Sequence, residues 1–398
     1  MRWAFISTIN LFALIAKESL GSLDAVTDPR NPATTPGYVR PAQLRALTSV
    51  RFLAALHVAL YHIVRPFSLW GPLAGFMAAG HSAVPFFFLL SGFILTYSHA
   101  HESHTGMAFK KRFYIARIAR IYPLYLLSLL FAAGSDLHVF AKHIHILAFL
   151  ADVLMVQSWS IRIVNFFNVP AWSLSAEAFF YLVFPFVFLR LRPRTRGCAA
   201  AWLLLFWALA MAAPLFALYR TPAAAWHEGV NGLLVFRIRR MPLLLLPEFL
   251  AGIPLAWVFL HLRPSRRASL YMLAAGTTVL FVTLFFANHI PWVMLGNGLL
   301  LPAYAMIVLG LSEDHAVSSK LSSAPLVLLG ESSYALYLFH FMFNDWLDVH
   351  FGAGSSIPDA LWKLAILIPL SIALYLLVEK PSRKRLVQWW NSHHQYPA

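Results

Sequence analysis

Ten mostly apolar runs on the scale of a bilayer dominate this chain, lying near residues 46–64, 83–99, 121–134, 171–189, 199–219, 243–260, 269–287, 292–310, 324–343 and 360–378. A helix needs about 20 such residues to cross roughly 30 Å of hydrocarbon, so the pattern specifies a membrane-embedded helical bundle. Composition agrees. With 60% hydrophobic residues, 12% charged residues and a mean hydropathy of +0.66 over 398 residues, the chain holds more apolar side chain than a water-soluble domain could cover. The expected fold is an all-α integral membrane protein, a bundle of about ten transmembrane helices. A net charge of +15 raises the question of nucleic acid, but the Lys and Arg residues cluster in short segments between apolar runs, and no basic helix with interleaved aromatics is present. Nucleic acid is therefore excluded as a partner, and the lipid bilayer is the expected one. The single cysteine, Cys198, excludes an intramolecular disulfide and a cysteine metal cage.

Charge sets the expected topology. The basic loops KKRFYIARIAR at 110–120 and RLRPRTR at 190–196 both belong on the cytoplasmic side, which requires an even number of crossings between them. The apolar stretch 144–159, short and carrying Asp152, is accordingly read as interfacial or re-entrant. The same count places the loop of Arg263, Arg266 and Arg267 and the tail with Lys380, Arg383, Lys384 and Arg385 inside, the acidic loop of Asp345, Asp348 and Asp359 outside, and both termini in the cytoplasm. One segment resists: 220–242 carries Arg220, Arg237, Arg239 and Arg240 on the outer side, so it either breaks the rule or binds something anionic.

Residues 1–43 read as an N-terminal appendage and flexible lead-in, since Lys17 and Glu18 stand where a signal peptide would have its small-residue cleavage site. Residues 44–386 form the transmembrane domain and 387–398 a cytoplasmic tail.

Ionisable residues inside apolar runs need a reason, because burying them in lipid is costly. Arg51 and His62 are eleven residues apart in SVRFLAALHVALYHI. Eleven helical steps return to within roughly 20° of the start, so the two share a face, about 17 Å apart along the axis, while His57 points elsewhere. Read separately, Arg51 is a snorkelling side chain and His62 an interhelical hydrogen-bonding residue. Read together, they outline a cavity with a cation at its inner end and an imidazole deeper in, suited to taking a proton from a hydroxyl near neutral pH.

Trp172, Ser173 and Glu177 lie in PAWSLSAEAFFYLVFPF, with Ser173 and Glu177 stacked at i, i+4. Glu177 reads equally as a structural partner of a buried cation or as a substrate-positioning group. Ser333, Tyr337, His340 and Asn344 form a helical stripe that serves either as packing polar groups or as supporting catalytic residues. Arg117 and Arg120, three apart, suit phosphate groups; Pro123 just beyond them predicts that this basic turn is a separate interfacial piece. The loop HAHESH, with His99, His101 and His104, has at most adventitious metal affinity, and no metal site is expected.

Taken in order, LRALTSVRFLAALHVALYHI, VPFFFLLSGFILTYSH, RFYIARIARIYPLYLL, PAWSLSAEAFFYLVFPF, MPLLLLPEFLAGIPLAW, LGESSYALYLFHF and VEKPSRKRL resemble the acyltransferase-3 family of integral membrane acyltransferases, from about residue 44 to 386. The resemblance implies transfer of an acyl group, often acetyl, from cytoplasmic acyl-coenzyme A to a hydroxyl, commonly on a bacterial surface glycan, in the inner cell membrane. It puts the family's Arg-x10-His motif on Arg51 and His62, its RxxR motif on Arg117 and Arg120, and its WSLS-x-E block on Trp172 to Glu177. It departs at Pro85, where many members carry an acidic residue. It does not extend to the C-terminal esterase-like domain of some relatives, so a second transfer step, where one occurs, falls to a separate extracytoplasmic acyl-accepting protein.

The expectation is thus an O-acyltransferase with His62, Arg51 and Glu177 catalytic, Arg117 and Arg120 binding the donor's phosphates, and Trp172, Ser173, Tyr337, His340 and Glu379 in support. Acyl-CoA is a co-substrate and no cofactor is permanently bound. The alternative is a transporter or flippase of a glycolipid or small metabolite, because buried charges also mark translocation pathways.

Overall fold

Long apolar helices form because membrane-embedded backbone must satisfy its own hydrogen bonds, and most residues in these runs are good helix formers. The computed structural model describes residues 44–64, 67–134, 143–226, 233–262, 264–352, 354 and 356–393; the expected N-terminal appendage and lead-in lie outside them. The principal helices are α1 (Arg45–Ile63), α2 (Ala83–Ser98), α3 (Met107–Gly134), α4 (His143–Val153) and α5 (Trp172–Val187). There follow α6 (Arg196–Arg220), α7 (Leu233–Arg240), α8 (Pro242–Leu262), α9 (Arg266–Phe285) and α10 (Leu301–Leu311). The last four are α11 (Ala324–Glu331), α12 (Ser333–Phe351), α13 (Ile357–Leu374) and α14 (Lys380–His393). No strand occurs among the described residues.

Helix starts follow local chemistry where polar residues stand at the ends. Thr195 accepts the Cys198 backbone N–H at 3.1 Å to open α6, and Ser356 with Asp359 forms a capping box on α13.

Among the described residues, eight helices or continuous helix pairs are long and apolar enough to cross a membrane, and a ninth arises if α11 and α12, bent by 53° at Ser332, act as one span. The expected run at 292–310 is instead broken. Gly296, Asn297 and Gly298 interrupt it, leaving Trp292–Leu295 as one turn and an apolar helix Gly298–Leu311, about 21 Å long and short of a full bilayer. The 144–159 stretch forms only α4, an 11-residue helix of about 16 Å, which is too short to cross.

Its end is pinned by polar contacts: Tyr125 donates to the Asp152 carbonyl at 2.7 Å, and Gln157 donates to Tyr125 at 3.2 Å and to the Ala171 carbonyl at 3.1 Å. Burial pushes the Asp152 carboxyl up to about 7, against the opposing hydrogen bond from Tyr125. These bonds fix where α5 begins.

Arg117 and Arg120 do not sit in a separate interfacial piece. α3 runs unbroken from Met107 through Pro123 to Gly134, so both arginines are part of a long helix. Proline removes only one backbone donor, and tightly packed membrane helices tolerate that loss when neighbours supply hydrogen bonds. Tyr334 on α12 donates to the Ile121 carbonyl at 3.0 Å, close to the proline.

The bundle's centre is built on backbone-to-backbone contact between α2 and α8. A Cβ at Gly92 would collide with the Phe249 carbonyl, and one at Gly252 would lie 2.6 Å from the Phe93 nitrogen. Small residues let membrane helices approach this closely, which maximises dispersion contacts where lipid supplies no hydrophobic drive. Phe93, Phe180, Phe184 and Phe249 are fully buried around this seam. α1 packs between α2, α11 and α12, and α14 packs along α3. Between α13 and α14 the backbone makes a π-helical turn, Tyr375–Glu379, and α14 then runs past residue 386 to His393.

Candidate active site

His62 ends α1 at the wall of a cavity of about 530 Å³. Around it stand Tyr61, His81, Asn165, Trp172, Arg239, Arg240, Trp292 and Tyr337, with apolar side chains filling the gaps. The cavity lies where α1 ends, α5 begins and α7 passes, and α5 runs away from it toward the basic segment at 190–196. In the topology expected from charge this is the outer half of the bundle.

His62 is half-buried. Its ring lies 5.2 Å, centroid to centroid, from that of His340 and packs edge-on against Phe341 at 5.2 Å. His340 is fully buried; its Nδ1 bonds the Tyr337 carbonyl at 2.7 Å, which is possible only for the tautomer with the proton on Nδ1, and its Nε2 has no hydrogen-bond partner among the described residues. Two imidazoles from different helices therefore meet beside the cavity. Tyr337 reaches Ser173 at 2.7 Å and the Pro170 carbonyl at 3.2 Å, so α12 is stitched to the start of α5. Trp172 lines the cavity and stacks edge-on to Phe88 at 6.5 Å. His57 points the other way, bonding the Phe76 carbonyl at 2.8 Å and stacking on that ring.

Arg51 lies in a second polar centre. It shares a helix face with His62, as its spacing predicts, but the lining of the cavity around His62 includes no part of Arg51. Its electrostatic neighbours are Arg120, Glu379, Glu177 and Tyr181. Arg117 faces Arg120, Tyr181, Arg383 and Glu177 in turn. Glu177 accepts hydrogen bonds from Ser91 at 3.0 Å and from Tyr181. Glu379, delivered by the π-helical turn, is buried and faces Arg120, Arg51 and Arg383.

Four guanidiniums and three carboxylates, Glu331 facing Arg383 and Glu379, thus gather from six helical elements, α1, α3, α5, α11, the π-helical turn and α14. This is an excess of positive charge, and an anion with several phosphate oxygens would relieve it. One helical turn separates Ser173, bonded to the cavity-lining Tyr337, from Glu177, in the cationic centre, so α5 connects the two.

The sequence expectation of one pocket holding Arg51 and His62 together is replaced by two centres on one helix face. The axial separation explains it: about 17 Å is too far for one side-chain cluster but matches an elongated substrate. Sequence reasoning did not single out His81 or Trp292, which come from a short turn before α2 and from the broken run. It did flag Arg239 and Arg240 as cations on the wrong side, and the structure puts both in the cavity wall. Among the described residues no three His, Cys, Asp or Glu side chains converge in a way that could hold a metal; in the HAHESH loop His99 bonds the Leu95 carbonyl at 2.8 Å and His101 pairs with Glu102 at 3.4 Å.

Comparison with known proteins now bears on this architecture. The acyltransferase domain family matches residues 44–380. The chain is 30% identical over 388 residues to an acyltransferase, MdmB, of Streptomyces mycarofaciens, covering 87% of this chain and 93% of that protein. It is 25% identical over 371 residues to the O-acetyltransferase OatA of Staphylococcus aureus, covering 87% of this chain and 58% of that one. A putative O-acetyltransferase of the same species, SAR0937, is 24% identical over 91% of this chain and 61% of its own length. The chain thus spans about three fifths of the staphylococcal relatives. No solved structure matches it. With a family match over most of its length and helices fit to cross a bilayer many times, the chain belongs to the acyltransferase-3 family and is a multi-pass membrane acyltransferase.

Proposed function

We propose that the protein is an O-acyltransferase of the cell's inner membrane that moves an acyl group, by default acetyl, from cytoplasmic acyl-CoA to a hydroxyl of a glycan or of a glycosylated or lipid-linked acceptor. The observation that carries this reading is the position of His62 in the wall of a polar cavity, separated along its own helix from a cluster of arginines. The relatives named as O-acetyltransferases support acetyl as the group transferred.

Phosphates of the donor bind Arg117 and Arg120, with Arg51 and Arg383 adding charge and Glu177 and Glu379 holding the guanidiniums in place. The thioester end of the donor extends from there toward His62. In one route the imidazole of His62 takes the proton of the acceptor hydroxyl as its oxygen attacks the thioester carbonyl, the C–S bond breaks, and the thiolate leaves with that proton. In the other, the imidazole nitrogen itself attacks the thioester carbonyl, the C–S bond breaks and the thiolate leaves with the proton of the other ring nitrogen, giving an acyl-imidazole; the acceptor oxygen then attacks its acyl carbon, the C–N bond breaks and the hydroxyl proton returns to the imidazole. Either route uses one neutral imidazole, and His340 beside it, held through Tyr337 and Ser173, fixes its position. Trp172 and Tyr337 supply aromatic walls for the acceptor. No resident cofactor takes part.

Purified protein reconstituted in vesicles with radiolabelled acetyl-CoA tests the reading. Label should pass covalently into a hydroxyl-bearing fraction of a membrane glycan extract. Movement of acceptor across the vesicle membrane with unchanged mass would instead identify a transporter.

A further inference from the structure

Glu331 and Tyr375 stand at the edge of the cationic centre, and the roles above leave both unused. Tyr375 opens the π-helical turn, and its hydroxyl donates to the Glu331 carboxylate at 2.7 Å. The turn closes through the same residue: the Lys380 backbone N–H reaches back to the Tyr375 carbonyl. Glu331 is itself held from the far side. A Cβ at the preceding Gly330 would collide with the Thr48 carbonyl, so the end of α11 lies against the backbone of α1 close to Arg51. The pair thus ties α11, and through it α1, to the stretch of chain that delivers Glu379 and Arg383.

What this tie controls is the direction of that chain. A π-helical turn carries one residue more than an α-helical one, and one residue is about 100° of rotation about the helix axis. Losing the turn would swing Arg383 to another side of α14. As the turn stands, Glu379 is buried and faces Arg120, Arg51 and Arg383, and Arg383 faces Arg120, Glu379, Tyr375 and Glu331. Arg383 is exposed where Glu379 is buried, so it marks the open edge of the centre. A long exposed arginine gives up rotamer freedom to grip an anion, and a neighbouring carboxylate that already holds the side chain in place lowers that cost. The guanidinium carries several N–H donors in a planar fork, and facing carboxylates does not exhaust them.

We infer that Tyr375 and Glu331 are positioning residues for the donor: their hydrogen bond sets the π-helical turn so that Arg383 meets a phosphate of acyl-CoA already oriented. This rests on the proposed donor role of the cationic centre, and goes beyond it in naming what holds Arg383.

Coenzyme A binding to full-length protein in lipid nanodiscs tests it by a double-mutant cycle. Tyr375→Phe should weaken binding about 5-fold or more and Arg383→Gln about 10-fold, the scale of one charge-assisted contact. The double variant should bind within about 2-fold of Arg383→Gln alone, because the tyrosine acts through the arginine. Glu331→Gln, which keeps an oxygen for the Tyr375 hydroxyl, should bind more tightly than Glu331→Leu, and it takes the place of Tyr375→Phe in the cycle if that variant does not fold. In steady-state transfer from acetyl-CoA, Tyr375→Phe should raise KM with kcat within about 2-fold of wild type, a split that general loosening of the bundle would not give. Wild-type affinity in both Tyr375→Phe and Glu331→Leu, or losses from Tyr375→Phe and Arg383→Gln that multiply in the double variant, would overturn the inference and leave the proposed function standing. Failure of the wild-type protein to bind coenzyme A would overturn the donor centre, and this inference with it.

Discussion

Arg51 and His62 lie on one face of α1 and look into different surroundings, one among arginines and carboxylates, the other among aromatic rings and a second imidazole. Under the proposed function, a guanidinium in the first setting acts on the donor's charge and not on the reacting carbonyl. Arg51→Ala should therefore raise KM for acetyl-CoA about 10-fold or more, the loss of one charge-assisted contact, with a smaller change in kcat. Steady-state kinetics at varied acetyl-CoA checks it, and an unchanged KM would remove Arg51 from the donor site. At this scale part of the placement was legible. His62, Glu177, Arg117 and Arg120 stand out because ionisable groups in apolar runs are costly, and helical spacing gave the correct face for His62 and for the divergent His57. His81 and Trp292 were not legible, because they lie in short irregular turns where periodicity carries no information. His340 appeared only as one member of a polar stripe; that its ring meets His62 depends on the packing of α12 against α1, which no local pattern encodes.

Helices were easier to read than their interruptions. Most apolar runs became helices near the expected positions, yet the basic piece ahead of Pro123 merged into α3, and 292–310 broke at Gly296, Asn297 and Gly298. Proline and glycine are local signals whose outcome is decided by neighbours: α3 gains a tyrosine hydroxyl beside its proline, whereas 292–310 turns aside where Arg239 packs on Gly296. Close approach of α2 and α8 is equally hidden in sequence, since a glycine within an apolar run looks like any small residue. It supports a firm expectation. Gly92→Leu should prevent α2 from seating on the Phe249 carbonyl, costing at least about 1–3 kcal/mol from overpacking, and should reduce the yield of monodisperse protein sharply in fluorescence-detected size exclusion. Wild-type yield and melting behaviour in that variant would contradict the packing described.

The described residues form a bundle with arginines gathered at one level and the cavity at another, and the proposed orientation rests on where the basic segments fall. Cys198, at the start of α6 beside the 190–196 run, reports on it directly. A membrane-impermeant maleimide should label it in inverted membrane vesicles and not in intact spheroplasts; the reverse result would turn the topology over and put His62 on the cytoplasmic side. The central claim is that the imidazole at the cavity wall is where the acyl group changes hands, and it is tested most directly by a single substitution. Surface glycans and exported metabolites of cells carrying the wild-type chain, His62→Ala or no chain should be compared by mass spectrometry, with the variant's membrane level and melting temperature checked in parallel. The account predicts an added acyl mass with the wild type, its loss in His62→Ala by about 100-fold or more, and normal amounts of folded variant. Retention of near wild-type acylation by well-folded His62→Ala would contradict it.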